Sequence, residues 1–197
     1  MITYDAVVLA GGQGMRLGGV SKADLYIGEQ RLLDIVLAAV PAARTRVVVG
    51  DVDVPWDVLR TMEEPPGGGP VAGVQAGLDA ITEPCDWTVV MAVDHPGAEP
   101  AVRDLLAAVV EDDPADGWLL ADADGTLQWL LGVHRTASLR RAIAASGADG
   151  VAMRRMLSSL TLNPVPTAAD LTDLDTPADL AHWGAELPTP PEPPAEA

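Results

Sequence analysis

The sequence predicts a three-layer α/β fold with a mostly parallel central sheet. Short apolar runs rich in β-branched residues alternate with amphipathic helical stretches, an order typical of a parallel sheet covered by helices on both faces. The first apolar run feeds a loop that holds five glycines between residues 11 and 19. At 197 residues, 48% of them hydrophobic, the chain suits one domain with a substantial core.

The elements follow from periodicity, taken along the chain. Residues 5–10 predict a buried strand, and residues 31–40 place Leu32, Ile35, Val36 and Ala39 on one face of a helix. The remaining predictions are strands at 45–50 and 59–62, a helix from Pro70, a strand at 86–94, a helix at 101–110, an apolar pair at 118–121 and 127–133, a helix at 137–145, and helical segments around Arg154 and from Thr176. The end of the chain, residues 186–197, is dense in proline and glutamate and is predicted to be a disordered tail.

Composition excludes several classes of function. The formal charge of −17 argues against a nucleic-acid surface, which needs a basic face. The sequence offers no apolar run of the roughly 20 residues that a membrane helix requires, and it starts without a basic signal-peptide region. We therefore expect a cytoplasmic protein that contacts neither membrane nor nucleic acid. A single cysteine, Cys85, leaves no intramolecular disulfide and no multi-cysteine metal site.

The glycine loop fits neither of two common phosphate-binding patterns. The dinucleotide fingerprint requires a third glycine at position 17, which is leucine, and a Walker A loop requires Ser or Thr after Lys22, where alanine stands. What remains is a glycine-rich turn with Arg16 and Lys22, which could cradle a triphosphate that leaves as pyrophosphate. The alternative is a plain connection that carries two solvated cations.

The stretch from Leu9 to Lys22, LAGGQGMRLGGVSK, resembles the signature loop of MobA-like nucleotidyltransferases, L-A-G-G-x-x-x-R-M/L-G-G-x-x-K. EEPPGGGPVAGVQAGL (63–78), VVMAVDHP (89–96) and LTDLDTPADL (171–180) are similar to further segments of that family. The resemblance covers everything except the tail. It implies one Rossmann-like nucleotidyltransferase domain of the nucleotide-diphospho-sugar transferase type over residues 1–185.

The resemblance also implies a reaction. In the best-known members, GTP binds with Mg²⁺, and the terminal phosphate of Mo-molybdopterin attacks the α-phosphorus and expels pyrophosphate. Arg16, Lys22 and Asp94 are the implied catalytic residues, and Asp94 and Asp175 the implied metal ligands. The implied nucleotide-binding residues are Leu9, Ala10, Gly11, Gly12, Arg16, Lys22, Glu64, Gly69, Pro70 and Asp94. Expected protein partners are molybdenum-cofactor biosynthesis proteins and molybdoenzyme chaperones, met transiently.

The sequence departs from the family at several positions. Asp173 and Asp175 stand where many members have asparagine, and could bind a cation or cap the helix that starts at Thr176 and Pro177. Glu64 replaces an aspartate, and Gly50 an asparagine whose contact would fall to the backbone or to Asp51. On the acceptor side, Trp129 could lie over the pterin or fill the core, and Arg154 and Arg155 could meet its phosphate or be solvated. His95, His134 and His182 show no metal-ligand spacing, which favours surface or packing roles for them.

Two alternatives to a guanylyltransferase stay open at this point. One is a related nucleotidyltransferase that uses CTP or another phosphorylated acceptor. The other is a nucleotide-binding accessory protein without turnover. The L-A-G-G sequence at residues 9–12 favours GTP, since relatives that use CTP tend to show L-A-A-G.

Overall fold

The computed structural model describes residues 2–11 and 21–186 of the chain. Its strands are β1 (Tyr4–Leu9), β2 (Tyr26–Ile27), β3 (Gln30–Arg31), β4 (Arg46–Val49), β5 (Leu59–Thr61), β6 (Trp87–Ala92), β7 (Gly117–Ala121), β8 (Leu127–Arg135), β9 (Leu162–Pro166) and β10 (Ala185–Glu186). Its α-helices are α1 (Leu32–Ala38), α2 (Pro70–Asp79), α3 (Ala98–Ala108), α4 (Thr136–Ser146), α5 (Met153–Leu157) and α6 (Pro177–Trp183), and a 3-10 helix spans Lys22–Asp24.

The central sheet has seven strands in the order β5-β4-β1-β6-β8-β7-β9. Strands β5, β4, β1 and β6 pair in parallel, as do β7 and β9, while β8 runs antiparallel to both of its neighbours. The carboxyl ends of β1, β4 and β6 therefore meet at one edge of the sheet, where open α/β folds bind ligands.

Helices cover both faces of this sheet, so the predicted three-layer α/β architecture is confirmed. Alternate residues of β1 face opposite sides, with Ala6 and Val8 in the core against α1 and α3. Val7 and Leu9 belong to a second core against α2, α4 and α5. Because β1 is buried on both faces, its sequence is continuously apolar apart from Asp5 and the Tyr4 hydroxyl.

Glycines let α2 approach β1 closely. A Cβ on Gly77 would lie 2.5 Å from Val7 Cγ1, and one on Gly73 would lie 3.0 Å from Leu9 Cδ2. Both glycines lie on the buried side of the helix, four residues apart, and a third, Gly69, caps the helix with φ +87°. The beginning of α2 is in this way fixed near the carboxyl end of β1.

The structure differs from the prediction at several elements. Helix α3 runs from Ala98 to Ala108 rather than over 101–110, because its first turn follows directly on the turn after β6. Strand β9 was not predicted, since it contains Pro164 and Pro166; it lies at an edge of the sheet, where proline is tolerated. The small antiparallel sheet β10-β2-β3 was also missed, because its strands have two residues each.

Two further predictions concern the chain end and the membrane. The predicted boundary between residues 185 and 186 falls inside β10, which pairs with β2, and residues 187–197 lie outside the described part of the chain. The disordered tail therefore stays a prediction. Over residues 2–11 and 21–186, no helix combines the length and apolar character needed to cross a bilayer.

Candidate active site

The end of β1 lies between the ends of β4 and β6. The amide of Ala10 donates to the carbonyl of Val49 over 2.8 Å, and the amide of Val93 donates to the carbonyl of Leu9 over 2.9 Å. Three of the predicted nucleotide-binding residues, Leu9, Ala10 and Gly11, therefore lie at the carboxyl edge. Gly12 and Arg16, which carry the rest of the predicted cradle, lie outside the described residues.

Gly50 fixes the path of the chain at this edge. A Cβ at Gly50 would lie 2.9 Å from the carbonyl carbon of Ala10 and 3.0 Å from the amide nitrogen of Gly11, and its φ is +150°. The Gly50 amide donates to the carbonyl of Thr61 over 2.9 Å. Asp51 is exposed and pairs with Arg60. Gly50 therefore packs directly on the Ala10–Gly11 peptide, and the nucleotide contact expected from the backbone here or from Asp51 stays a prediction.

The turn after β6 carries Asp94 and is held by a distant segment of the chain. The amide of Leu174 donates to the carbonyl of Asp94 over 3.0 Å. Gly97 approaches the carbonyl oxygen of Asp170 so closely that a Cβ there would lie 2.1 Å from it. These two contacts bring residues 173–175 beside Asp94, which sequence separation alone would not reveal.

The ammonium of Lys22 lies between two carboxylates. Its Nζ donates to Asp94 Oδ2 over 2.8 Å and to Asp175 Oδ1. The Lys22 side chain is 19% exposed. Burial acts to lower the pKa of Lys22, but attraction to Asp94 and the hydrogen bonds to Asp175 and Asp94 outweigh burial and leave the pKa raised. The lysine is therefore fully charged at neutral pH.

His95 and Asp173 extend this cluster. His95 is 5% exposed; its Nε2 lies 3.8 Å from Asp94 Oδ1 and its Nδ1 3.9 Å from Asp173 Oδ1. Burial raises the pKa of Asp173, and the charges of Asp94 and Asp175 raise it further against the attraction of His95. The sequence favoured a surface or packing role for His95. The structure places its ring in the charged cluster, and its position directly after Asp94 was the one sign of this in the sequence.

The helix cap offered as an alternative role for the aspartates is made by other residues. Helix α6 begins at Pro177, and Thr176 and Asp179 form a capping box at its start. Asp175 contributes its backbone amide to Asp179, while its carboxylate faces Lys22. The predicted start of the helix is confirmed, and the carboxylate of Asp175 belongs to the charged cluster.

The donor set at this edge fits Mg²⁺. Oxygens of Asp94 and Asp175 converge on one cationic group, the Lys22 ammonium, and carboxylate oxygens are the ligands that Mg²⁺ prefers. Within the ranges that the structure describes, no group of three or more His, Cys, Asp or Glu side chains is arranged to hold a metal ion. Phosphate oxygens and water would complete the coordination, as is common for Mg²⁺ in nucleotide sites.

The loop before α2 borders a cleft beside this edge. Glu63 accepts a hydrogen bond from the amide of Gly67 over 3.1 Å and so shapes the loop. The exposed Glu64 lines the cleft, which has a volume of about 430 Å³ and continues past Gly68 to Asp149. Gly69 and Pro70, both predicted to bind nucleotide, form the start of α2. The residue that corresponds to the family's acidic position is thus accessible, while its neighbour is structural.

The remaining candidates make contacts outside the Lys22 cluster. The guanidinium of Arg154 lies 6.0 Å from the ring centroid of Trp129, and Trp129 packs partly against the second core. His134 is fully buried, and His182 pairs with Asp170 near the surface. Roles for Trp129, Arg154 and Arg155 toward an acceptor stay predictions.

Comparisons with known proteins identify the family of the chain. The profile of the MobA-like NTP transferase domain matches residues 6–165. A probable molybdenum cofactor guanylyltransferase of Chloroflexus aggregans is 32% identical in an alignment of 209 positions, gaps included, that covers 93% of this chain and 94% of that protein. The molybdenum cofactor guanylyltransferase of Rhodopseudomonas palustris is 30% identical and covers 90% of this chain and 89% of its own.

Solved structures show the same fold. The crystal structure of molybdopterin-guanine dinucleotide biosynthesis protein A from Archaeoglobus fulgidus superimposes with a TM-score of 0.66 at 20% identity, covering 91% of this chain and 96% of its own. Together with the match of the domain profile over residues 6–165, these similarities show that the chain belongs to the MobA-like NTP transferase family and is a nucleotidyltransferase.

Proposed function

We propose that this MobA-like nucleotidyltransferase is a molybdenum cofactor guanylyltransferase. It transfers GMP from GTP to the terminal phosphate of Mo-molybdopterin, releases pyrophosphate, and forms the molybdopterin guanine dinucleotide cofactor. The observation that carries the proposal is the meeting of Lys22, which follows the glycine loop, with Asp94 and Asp175 at the carboxyl edge of the sheet. Two relatives that span nine-tenths of the chain bear this activity in their names.

The chain's own groups align and neutralise the reactants. The backbone amide of Gly11 supports the nucleotide, since the Ala10 amide is bonded to the carbonyl of Val49. The Lys22 ammonium takes phosphate oxygens as negative charge builds on the leaving pyrophosphate. Arg16 takes the same role by its place in the loop. Asp94 and Asp175 would hold Mg²⁺, which when bound neutralises the phosphate oxygens. Displacement at phosphorus needs little covalent help from protein, so this alignment supplies most of the catalysis.

The preference for GTP rests on the cleft beside α2. Guanine presents two adjacent N–H donors, N1–H and the exocyclic amine, and a carboxylate can accept both. Glu64 offers such a carboxylate at the mouth of the cleft, since Glu63 is occupied with the Gly67 amide. Glu64 therefore reads the base in this proposal.

The setting of the reaction completes the proposal. The enzyme works in the cytoplasm, without nucleic acid or membrane, and hands its product on through transient contacts with molybdenum-cofactor biosynthesis proteins and molybdoenzyme chaperones. The net charge of −17 is consistent with an enzyme that does not bind nucleic acid.

The direct test is Mg²⁺-dependent pyrophosphate release with Mo-molybdopterin as acceptor, comparing GTP with CTP and ATP. We expect release with GTP and a fall in kcat/KM of about 100-fold or more in Asp94→Ala, because the carboxylate that holds the metal is lost. Asp124→Ala, which removes an exposed carboxylate from a turn, is the matched control and should match the wild type.

Two results would redirect the proposal. Release with CTP instead of GTP would make the enzyme a cytidylyltransferase, with the base contact at Glu64 misassigned. Measurable GTP binding without release from any of these nucleotides would support an accessory protein that has kept the fold and lost turnover.

A further inference from the structure

Lys22 is carried by a single turn of 3-10 helix, Lys22–Asp24, which we call the lysine turn. One side of the lysine turn is fixed by packing, because Ala23 and Leu25 are fully buried. The amide of Leu32, the first residue of α1, donates to the carbonyl of Leu25 over 2.8 Å. A single 3-10 turn has few backbone hydrogen bonds of its own, so the direction in which Lys22 leaves it also depends on contacts of its polar side.

Arg31, the residue before α1, makes such a contact. Its Nε and Nη2 both donate to Asp24 Oδ1, over 3.0 and 2.5 Å, and its Nη1 donates to the carbonyl of Asp53 over 2.8 Å. The Arg31 side chain is 16% exposed, and the planar fork of its guanidinium serves both partners at once. Asp53 lies in the loop after β4, so one guanidinium joins the lysine turn, the start of α1 and this loop.

The contact to Asp24 bears on the position of the Lys22 ammonium. Asp24 follows Lys22 by two residues within the same turn, so a rotation of the turn moves both side chains. In the proposed reaction the ammonium takes charge that builds on the leaving pyrophosphate, and a displacement of about 1 Å can cost about 100-fold in rate. A group that fixes this turn therefore contributes to the rate without contacting the nucleotide.

We propose that Arg31 is a positioning residue for nucleotidyl transfer, which acts through Asp24 to hold the lysine turn in place. The inference rests on the proposed function and deepens it, because it adds a residue outside both the glycine loop and the turn after β6. The hydrogen-bond partners of Arg31 are Asp24 and Asp53, and neither is a predicted substrate-binding residue. Its effect on the reaction has to pass through the lysine turn.

The test measures the single-turnover rate of pyrophosphate release at saturating GTP and Mg²⁺ with Mo-molybdopterin, and separately the Kd for GTP. Arg31→Met keeps an unbranched side chain and removes every donor. It should lower the rate about 30-fold and weaken GTP binding by no more than about threefold, because Lys22 acts mainly on the leaving group. A variant that loses affinity but keeps the wild-type rate at saturating GTP would overturn the inference.

Arg135→Met is the matched control for the loss of an arginine that bridges segments. Arg135 also donates three hydrogen bonds, to the carbonyls of Glu111, Asp113 and Ala115. It lies at the opposite edge of the sheet, where it pairs with Trp87, the first residue of β6. Both variants should lose stability in urea, but Arg135→Met should keep the wild-type rate at a temperature where it is folded. Equal falls in rate would overturn the inference.

Two substitutions of Asp24 test the route from Arg31 to the lysine turn. Asp24→Asn keeps an acceptor oxygen for the guanidinium and should stay within about threefold of the wild-type rate. Asp24→Leu has a similar size and no acceptor, so its rate should fall about as far as in Arg31→Met. The double variant should fall little further, because both changes break the same contact. A wild-type rate in Asp24→Leu would overturn the inference.

A Lys22→Met background tests whether Arg31 acts through the lysine. There, Arg31→Met should lower the rate of release, followed with γ-labelled GTP, by no more than about twofold, because no ammonium is left to position. A purely structural role would give the same fall in both backgrounds.

The outcomes distinguish the inference from the function on which it rests. Equal falls in both backgrounds, in a protein whose wild type releases pyrophosphate, would overturn the inference alone. If the wild type uses CTP instead of GTP, the same variants are compared with CTP, and their rates decide the inference independently of the base. A wild type that releases no pyrophosphate with any of these nucleotides would overturn both.

Discussion

The interior of the sheet and its carboxyl edge are organised by different forces. In the interior, glycines let elements approach to contact, as Gly77 of α2 does against Val7 of β1. Even a polar residue such as His134 lies there with neither ring nitrogen hydrogen-bonded within the described residues. At the edge, charges decide the arrangement, since one ammonium and three carboxylates from three segments meet around Lys22 and His95.

The difference separates the part of the molecule that holds the backbone in place from the part that offers charged side chains. A close-packed interior has discrete arrangements and resists small displacements, so it can hold the strand ends in register. The Lys22 cluster is held by ion pairs between side chains that are partly exposed to solvent. The packed interior is therefore the rigid frame of the molecule, and the charged edge provides side chains that can bind a ligand.

Gly50→Ala should have the largest effect, because Gly50 directly follows β4 and packs on the Ala10–Gly11 peptide at the carboxyl edge of the sheet. A Cβ at position 50 would lie 2.9 Å from the carbonyl carbon of Ala10, and the backbone there has a φ of +150°. Backbone strain and overpacking together should lower the free energy of unfolding by about 4 kcal/mol and displace the Gly11 amide that supports the nucleotide. Urea denaturation and GTP titration of the folded protein measure the two consequences.

Gly11→Ala is the control for this prediction. Its Cβ would meet the carbonyl oxygen of Val49 at 3.9 Å, an ordinary contact, so the free energy of unfolding should change by about 0.5 kcal/mol or less. Similar losses of stability in the two variants would show that the close approach at Gly50 does not fix the strand ends.

The second largest effect is a pH dependence set by the interior. Burial lowers the pKa of His134 to about 4, against the attraction of Asp116. The unfolded chain, with a pKa near 6.5, binds the proton more readily, so stability is full above pH 6.5 and is lost as pH falls toward 4. Between pH 7.5 and 4, His134 should account for a loss of about 3 kcal/mol.

His134→Leu removes this term and should therefore unfold with a weaker dependence on pH. The flat ring lies between Gly117 and Gly132, whose added Cβ atoms would come within 2.6 and 2.8 Å of its two nitrogens, so the branched leucine needs some repacking and lowers the stability at every pH. The difference in unfolding free energy between wild type and variant, measured by urea at each pH, isolates the histidine. Parallel curves from pH 7.5 to 4 would contradict burial of a neutral ring.

The sequence was sufficient to predict the frame because its strands and helices leave periodic patterns of apolar residues. Continuous apolar runs predicted β1 and β6, and the spacing of Leu32 and Val36 predicted α1. It was insufficient where a strand lacked the usual composition, as in the proline-containing β9, or had two residues, as in β10. There, pairing with a neighbouring strand rather than local preference decides the structure.

For the carboxyl edge, the motif indicated which residues belong to the site but not which of them are in contact. Lys22, Asp94 and Asp175 were all predicted, yet the ion pairs among them depend on how residues 170–175 fold back on Gly97. Capping of α6 was one of two roles left open for Asp173 and Asp175, and the structure gives it to Thr176 and Asp179 instead. Long-range approaches of this kind leave no periodic pattern in one sequence.

The smallest effect should come from Glu64→Gln, which tests whether the edge also selects the base. The amide keeps the size of the side chain but offers one acceptor instead of two and adds an N–H that opposes those of guanine. We expect kcat/KM with GTP to fall about tenfold, close to 1.4 kcal/mol, with little change for CTP. Asp149→Asn, which removes a charge from the same cleft, should leave both nucleotides unaffected. An equal fall for GTP and CTP would mean that Glu64 acts through its charge alone, and the choice of base would then have to come from backbone groups fixed by the packed frame.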